Sequence, residues 1–336
     1  MQLEILRKHS AVIDGLNCAP VTRDQMLRTL EGGVTAINLT SIRPPHDFNT
    51  AMRDLARTLT AIDANRDIAC IPLSVRDIEQ AREDSKLAII LGAQNSVVVE
   101  EDVELLRILQ RVGFRILQPT YMERNGFGCG VLAKGGDDGL TDKGRRWVEL
   151  MNELRMLIDL SHVGYRTAAD ILALSKRPVI FSHSNARARC NSLRNIPDDL
   201  IRAAAGTGGT VGATLWPPMV RHEARPTIDD WAEQVVYMVN LVGIDHVAFG
   251  SDLSENKYKS EEEWQKSFGP RGIYPEVTAV LGPWFQFESR LTEGYESLAY
   301  TPRLADALQR RGFSQDAIDK VMGGNLLRVY REVWGE

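Results

Sequence analysis

Histidine closes two successive apolar runs in the stretch 156–183, MLIDLSHVGYRTAADILALSKRPVIFSH. Met156 to Leu160 leads into Ser161-His162, and Pro178 to Phe181 leads into Ser182-His183. Imidazole is the commonest neutral ligand for zinc and a frequent general acid or base. A single histidine after a strand is more often a hydrogen-bonded surface group. The same residue at the same place twice points to one shared site.

The elements that must position this pair follow from the pattern. Both runs are too short for helices and rich in Ile, Leu and Val, as buried parallel strands are. Between them, Thr167 to Ser175 has helical spacing, with Ala168, Ile171, Leu172 and Leu174 on one stripe. Strand and helix alternate along the whole chain. The stronger strands centre near Ile13, Ile37, Ile89, Ile116, Ile158, Ile180, Val211 and Ala248, the eight that close a (β/α)8 TIM barrel. An open doubly wound sheet is the alternative, but no GxGxxG follows the first strand. The expectation is one barrel domain over 1–336, with irregular insertions near 122–142 and 253–300. His246 falls within the last strand on this reading, and a polar turn carries Arg187, Arg189, Arg194 and Asn195.

Ligands bind at the carboxyl ends of such strands. The residues there are Asp14 to Cys18, Asn38, Gln94, Tyr121, His162, His183, Trp216 and Asp252. His162, His183 and Asp252 form a one-metal set with an open position for water. Asp252 is alternatively the general base for that water, or a cap or turn residue. Cys18 offers either a thiolate ligand or a small buried side chain. Arg194 offers a bidentate fork to a substrate carboxylate, or else pairs with Asp198 or Asp199 in solvent. Gln94 and Tyr121 can orient substrate or stabilise an oxyanion, and either can equally be a satisfied rim group. His9, His46 and His222 stand at less suggestive places.

The bulk properties narrow the classes. The chain has 336 residues, 43% hydrophobic and 25% charged, with a net charge of −5 and interspersed signs. That argues against a nucleic-acid partner. No apolar run approaches a membrane span, and the amino terminus has no secretory pattern. Four cysteines without a CxxC pair read as reduced thiols in a cytoplasmic protein.

Several segments together resemble a known family. They are Val12-Ile13-Asp14-Gly15, Gly139-Leu140-Thr141, the Ile158 to Val163 run, Phe181 to Arg187, Arg194 to Asp199, His246 to Asp252 and Gly323-Gly324-Asn325. The chain is similar to membrane (renal) dipeptidase, peptidase family M19, over nearly its whole length. The resemblance implies a (β/α)8 barrel of the metallo-dependent hydrolase type, commonly a homodimer, with a binuclear zinc site that hydrolyses dipeptides. It implies that His162 and His183 serve one metal, Asp252 the other, and Arg194 the substrate carboxylate. The departures are at Leu16 and Cys18, where the family has His-x-Asp, at Gln94 for a bridging Glu, and at Tyr121 for a catalytic His. A neutral amide adds no charge to offset two cations, so one zinc is expected in place of two. The expected function is hydrolysis of a dipeptide or N-acyl amino acid. The alternatives are metal-free binding of a small carboxylate and another reaction on the same barrel.

Overall fold

The computed structural model describes residues 11–335 apart from 45, 270 and 283. His9 lies outside the described residues. Among the described residues there are nine strands: β1 Ile13–Asn17, β2 Ala36–Ile42, β3 Ala69–Cys70, β4 Leu87–Ala93, β5 Phe114–Leu117, β6 Leu157–Asp159, β7 Val179–Ile180, β8 Val211–Thr214 and β9 Val247–Gly250. The order β1-β2-β4-β5-β6-β7 is parallel throughout, and β8 pairs parallel with β9. Two parallel bridges join the sheets into a ring, Phe181 to Val211 and Asn17 to Leu253. The short β3 pairs only with β4, outside the ring. The remaining eight strands are those expected, and the fold is a (β/α)8 barrel.

The strands are apolar on both faces, which is why they read as continuous runs. Ile13, Ala36, Ala88, Ile90, Ile116, Leu157, Ile180 and Ala248 fill the barrel interior together with Leu326, Val329, Tyr330 and Val333 of the last helix, Asn325–Trp334. Their outward neighbours Ile37, Ile89, Leu91, Ile158 and Val179 join the layer under the surrounding helices. The last helix therefore plugs one end of the barrel and leaves the other end for chemistry.

The seam between β9 and β1 is held by a buried carboxylate. Asp14 accepts from the Ser251 backbone N and Oγ, both at 2.6 Å, and from Asn17 Nδ2 at 2.9 Å. Close packing needs glycine opposite the end of β7: a Cβ on Gly212 or Gly250 would lie 2.1 or 2.0 Å from the Ser182 carbonyl oxygen. The ring is thus tightest where the histidine pair begins.

Two expectations are corrected. His246 lies in a 3₁₀ turn, Ile244–His246, before the strand, and its Nδ1 sits 2.9 Å from the Gly209 carbonyl. The segment 253–300 is not wholly irregular: it contains a helix Glu261–Phe268 capped by Ser260, and 3₁₀ turns Pro275–Val280 and Leu298–Tyr300.

Candidate active site

The strand ends open onto a cavity of about 240 Å³, lined among others by Cys18, Gln94, Tyr121, His162, Arg194, Trp216 and Asp252. His183 is fully buried behind His162, their Nε2 atoms 2.9 Å apart. The two serines that precede them build the pair. Asp159, at the end of β6, accepts from the backbone N of Ser161 and Ser182, from Gln118 Nε2 at 2.6 Å and from Ser182 Oγ at 2.5 Å. With its proton committed to Asp159, the Ser182 oxygen accepts from His183 Nδ1–H at 2.7 Å. That leaves a lone pair on His183 Nε2, directed at His162. Ser161 Oγ in turn accepts from the His183 backbone N at 3.1 Å. A carboxylate fixing an imidazole tautomer from behind is the usual support of a metal-ligating histidine. Burial first, then the Arg194 charge, pushes both imidazoles well below the usual histidine range, so they are neutral donors.

His162 and Asp252 both adopt a positive φ, 72° and 51°. Non-glycine residues pay for this conformation, and it clusters at functional sites. Here it turns each side chain out of the strand direction and toward the cavity.

The histidine pair has the spacing of two ligands to one cation. In a tetrahedral zinc site with bonds of about 2.0–2.1 Å, two nitrogens stand roughly 3.3 Å apart, close to the 2.9 Å found between the imidazoles. No third ligand joins them: among the described residues, no group of three or more His, Cys, Asp or Glu is assembled for a metal. Of the expected set, His162 and His183 face each other, while Asp252 and Cys18 stand together, Oδ1 and Sγ 3.5 Å apart. Cys18 Sγ faces Thr40 Oγ1 at 3.4 Å and Asp252 Oδ1 at 3.5 Å, and burial, then Asp252, pushes its thiol up to about 12. Gln94 donates to Thr40 Oγ1 at 2.8 Å and to Cys18 Sγ at 3.5 Å. The Tyr121 ring covers His162 with centroids 4.1 Å apart. Nothing in this arrangement would bridge a second cation.

Asp252 keeps its place at the cavity. Burial raises its carboxyl to about 6, against the pull of Arg194. Arg194 is 2% exposed and makes no pair with Asp198 or Asp199, which instead accept from Tyr237 and Tyr165. Its Nη2 reaches only the His183 carbonyl, at 3.5 Å. Burial lowers its guanidinium to about 10, well above neutrality, so a nearly unpartnered charge waits at the cavity floor. Tyr121 is held protonated, its hydroxyl pushed well above the usual range by burial.

A family model, Membrane dipeptidase (Peptidase family M19), matches residues 2–282. The chain belongs to this family. An uncharacterized protein in the pqqA 5′ region of Klebsiella pneumoniae is 30% identical over 86% of this chain and 97% of its own length. An uncharacterized dipeptidase of Schizosaccharomyces pombe is 28% identical over 85% of this chain, which spans 64% of that relative. Among solved structures, an amidohydrolase from Pseudomonas aeruginosa superposes with a TM-score of 0.89 at 29% identity, each chain covered completely. M19 enzymes are metal-dependent hydrolases of the amidohydrolase fold. Despite the family's name, no helix among the described residues is long and apolar enough to cross a membrane.

Within this M19 chain some strand-end residues serve the barrel and not the cavity. Asp14 ties the seam, and Asn38 Nδ2 donates to the Gly15 carbonyl at 2.9 Å inside the ring. Trp216 instead lines the cavity, with its ring packed against Phe285. All four cysteines are unpaired thiols. Sequence reasoning missed Lys257 and Tyr274 on the cavity wall, and Thr40 between Cys18 and Gln94. Lys257 follows Asp252 by five positions in a segment without periodicity, so only the strand-end rule, extended into the loop, would have found it.

Proposed function

We propose that this M19 chain hydrolyses the amide bond of a small carboxylate-bearing substrate, a dipeptide or N-acyl amino acid. The observation that carries this reading is the shared cavity of Arg194, Asp252, Tyr121 and His162. Arg194 holds the substrate carboxylate through its fork, in a setting where water competes little. That contact fixes the scissile carbonyl relative to Asp252. Asp252 accepts a proton from the attacking water and returns it to the leaving nitrogen. The Tyr121 hydroxyl donates to the oxygen on which negative charge develops. His162 and His183 would hold one zinc, which when bound supplies polarisation of the carbonyl and an acidified water.

The test is amine release from a panel of dipeptides and N-acyl amino acids, with zinc added. Turnover by the wild type and its loss in His183→Ala are expected. Undiminished turnover in that variant contradicts the reading. The two-ligand donor set favours a second reading, in which the cavity binds a carboxylate without chemistry. Full-affinity binding in chelator with no turnover of any panel member would support it.

A further inference from the structure

The charges of the cavity do not balance. Its lining carries Arg43, Arg194 and Lys257 against Asp54 and Asp252. Asp54 is already taken: Arg57 holds one oxygen at 2.7 Å, and His46 holds the other at 2.9 Å with Arg43 at 3.7 Å. Arg194 and Lys257 have no ion pair within 4.0 Å among the described residues, and Asp252 alone faces both of them.

Lys257 is an exposed residue of the cavity lining, and the turn that carries it is firmly held. Its turn is clamped to the helix Arg23–Glu31 by Gln25, which donates to Glu255 at 2.9 Å and accepts from Asn256 Nδ2 at 2.9 Å. The buried Glu255 also accepts from Ser297 Oγ at 2.7 Å and Leu298 N at 2.9 Å. Asn256 has a φ of 57°, the strained step that turns the chain immediately before Lys257. Lys257 lines the cavity with its Nζ over the Tyr258 ring, 5.8 Å from the centroid, and with no carboxylate within 4.0 Å among the described residues.

We infer that Lys257 is a specificity residue and that the preferred substrate carries a second carboxylate, as an N-acyl or aminoacyl derivative of an acidic amino acid does. Arg194 takes the carboxylate next to the amide, and Lys257 takes the distal one. The charge excess inside a partly water-excluded cavity selects the dianion over a neutral-side-chain analogue. This rests on the proposed carboxylate role of Arg194, but not on hydrolysis.

Calorimetry with glutarate and butyrate separates the two claims, because neither probe has an amide to cleave. Glutarate is expected to bind at least about tenfold more tightly than butyrate, the effect of one added charge contact. Lys257→Met should bring the ratio near one, Lys257→Arg should preserve it, and Arg194→Met should weaken both probes. An unchanged ratio in a folded Lys257→Met protein, or no preference in the wild type, overturns the inference. A preserved preference in a protein that hydrolyses nothing would remove the hydrolase reading and leave this one standing.

Discussion

Asp252 must be ionised to accept a proton, and burial has moved its carboxyl up to about 6. The sign is therefore fixed: kcat/KM rises with pH through that value and levels off above it, falling about tenfold per pH unit below it. A pH profile of kcat/KM checks this, and a flat profile from pH 5 to 7 would exclude Asp252 as the base. Asp252→Asn should lower kcat by about 10²–10⁴. Tyr121→Phe should lower kcat by about 10² through loss of one oxyanion donor, with little change in melting temperature. At this scale the sequence was partly legible. His162, Asp252 and Tyr121 reach the cavity from strand ends, with His183 behind His162, and Arg194 reaches it from the turn beyond β7. The ligand role of Cys18 was not decided there, because a thiolate and a buried thiol have the same letter. Its neighbours Thr40, from β2, and Asp252, from the loop after β9, are set by the fold and not by the local sequence.

At the scale of elements, the seam between β9 and β1 depends on Asp14 more than on strand pairing, since one bridge and a few backbone bonds are all that join them. Asp14→Ala strands the Ser251 backbone N and Asn17 Nδ2 in a buried place, while the Ser251 hydroxyl keeps the Leu16 carbonyl at 3.2 Å. A loss of roughly 2–4 kcal/mol is expected from unsatisfied buried donors. The urea midpoint measures it, and a change under about 0.5 kcal/mol would show that the seam is held otherwise. The helix Arg23–Glu31 carries its bounds in its own residues, since Thr22 caps it and Gly32 ends it. The helix Glu261–Phe268 was not legible in the sequence, although Ser260 caps it and Glu261, Glu262 and Glu263 complement its dipole. Its apolar residues, Trp264 and Phe268, pack on Tyr258, Tyr274 and Phe285 of the flanking loops, which have no helical or strand spacing.

For the whole molecule, one end of the barrel is sealed and the other is chemical. Tyr330 stacks on Trp334 at 4.2 Å in the sealed end, both buried by strands from across the chain. Tyr330→Ala should cost about 3–5 kcal/mol, as large aromatic truncations in cores do, without altering substrate preference. Thermal unfolding with an activity assay on the folded fraction tests both halves of that statement. The eight-strand count was legible because each strand is apolar on both faces. The closure followed from that count alone, because β7–β8 and β9–β1 join through single bridges that leave no mark in composition.

The most direct test of the account is the zinc content of the chain purified without chelator. One equivalent, abolished in His183→Ala, is the predicted result, because only His162 and His183 converge on a shared point. Two equivalents per chain would mean that Cys18, Gln94 and Asp252 rearrange into a ligand set that the structure does not show. No zinc even after it is added back would contradict the one-cation site itself.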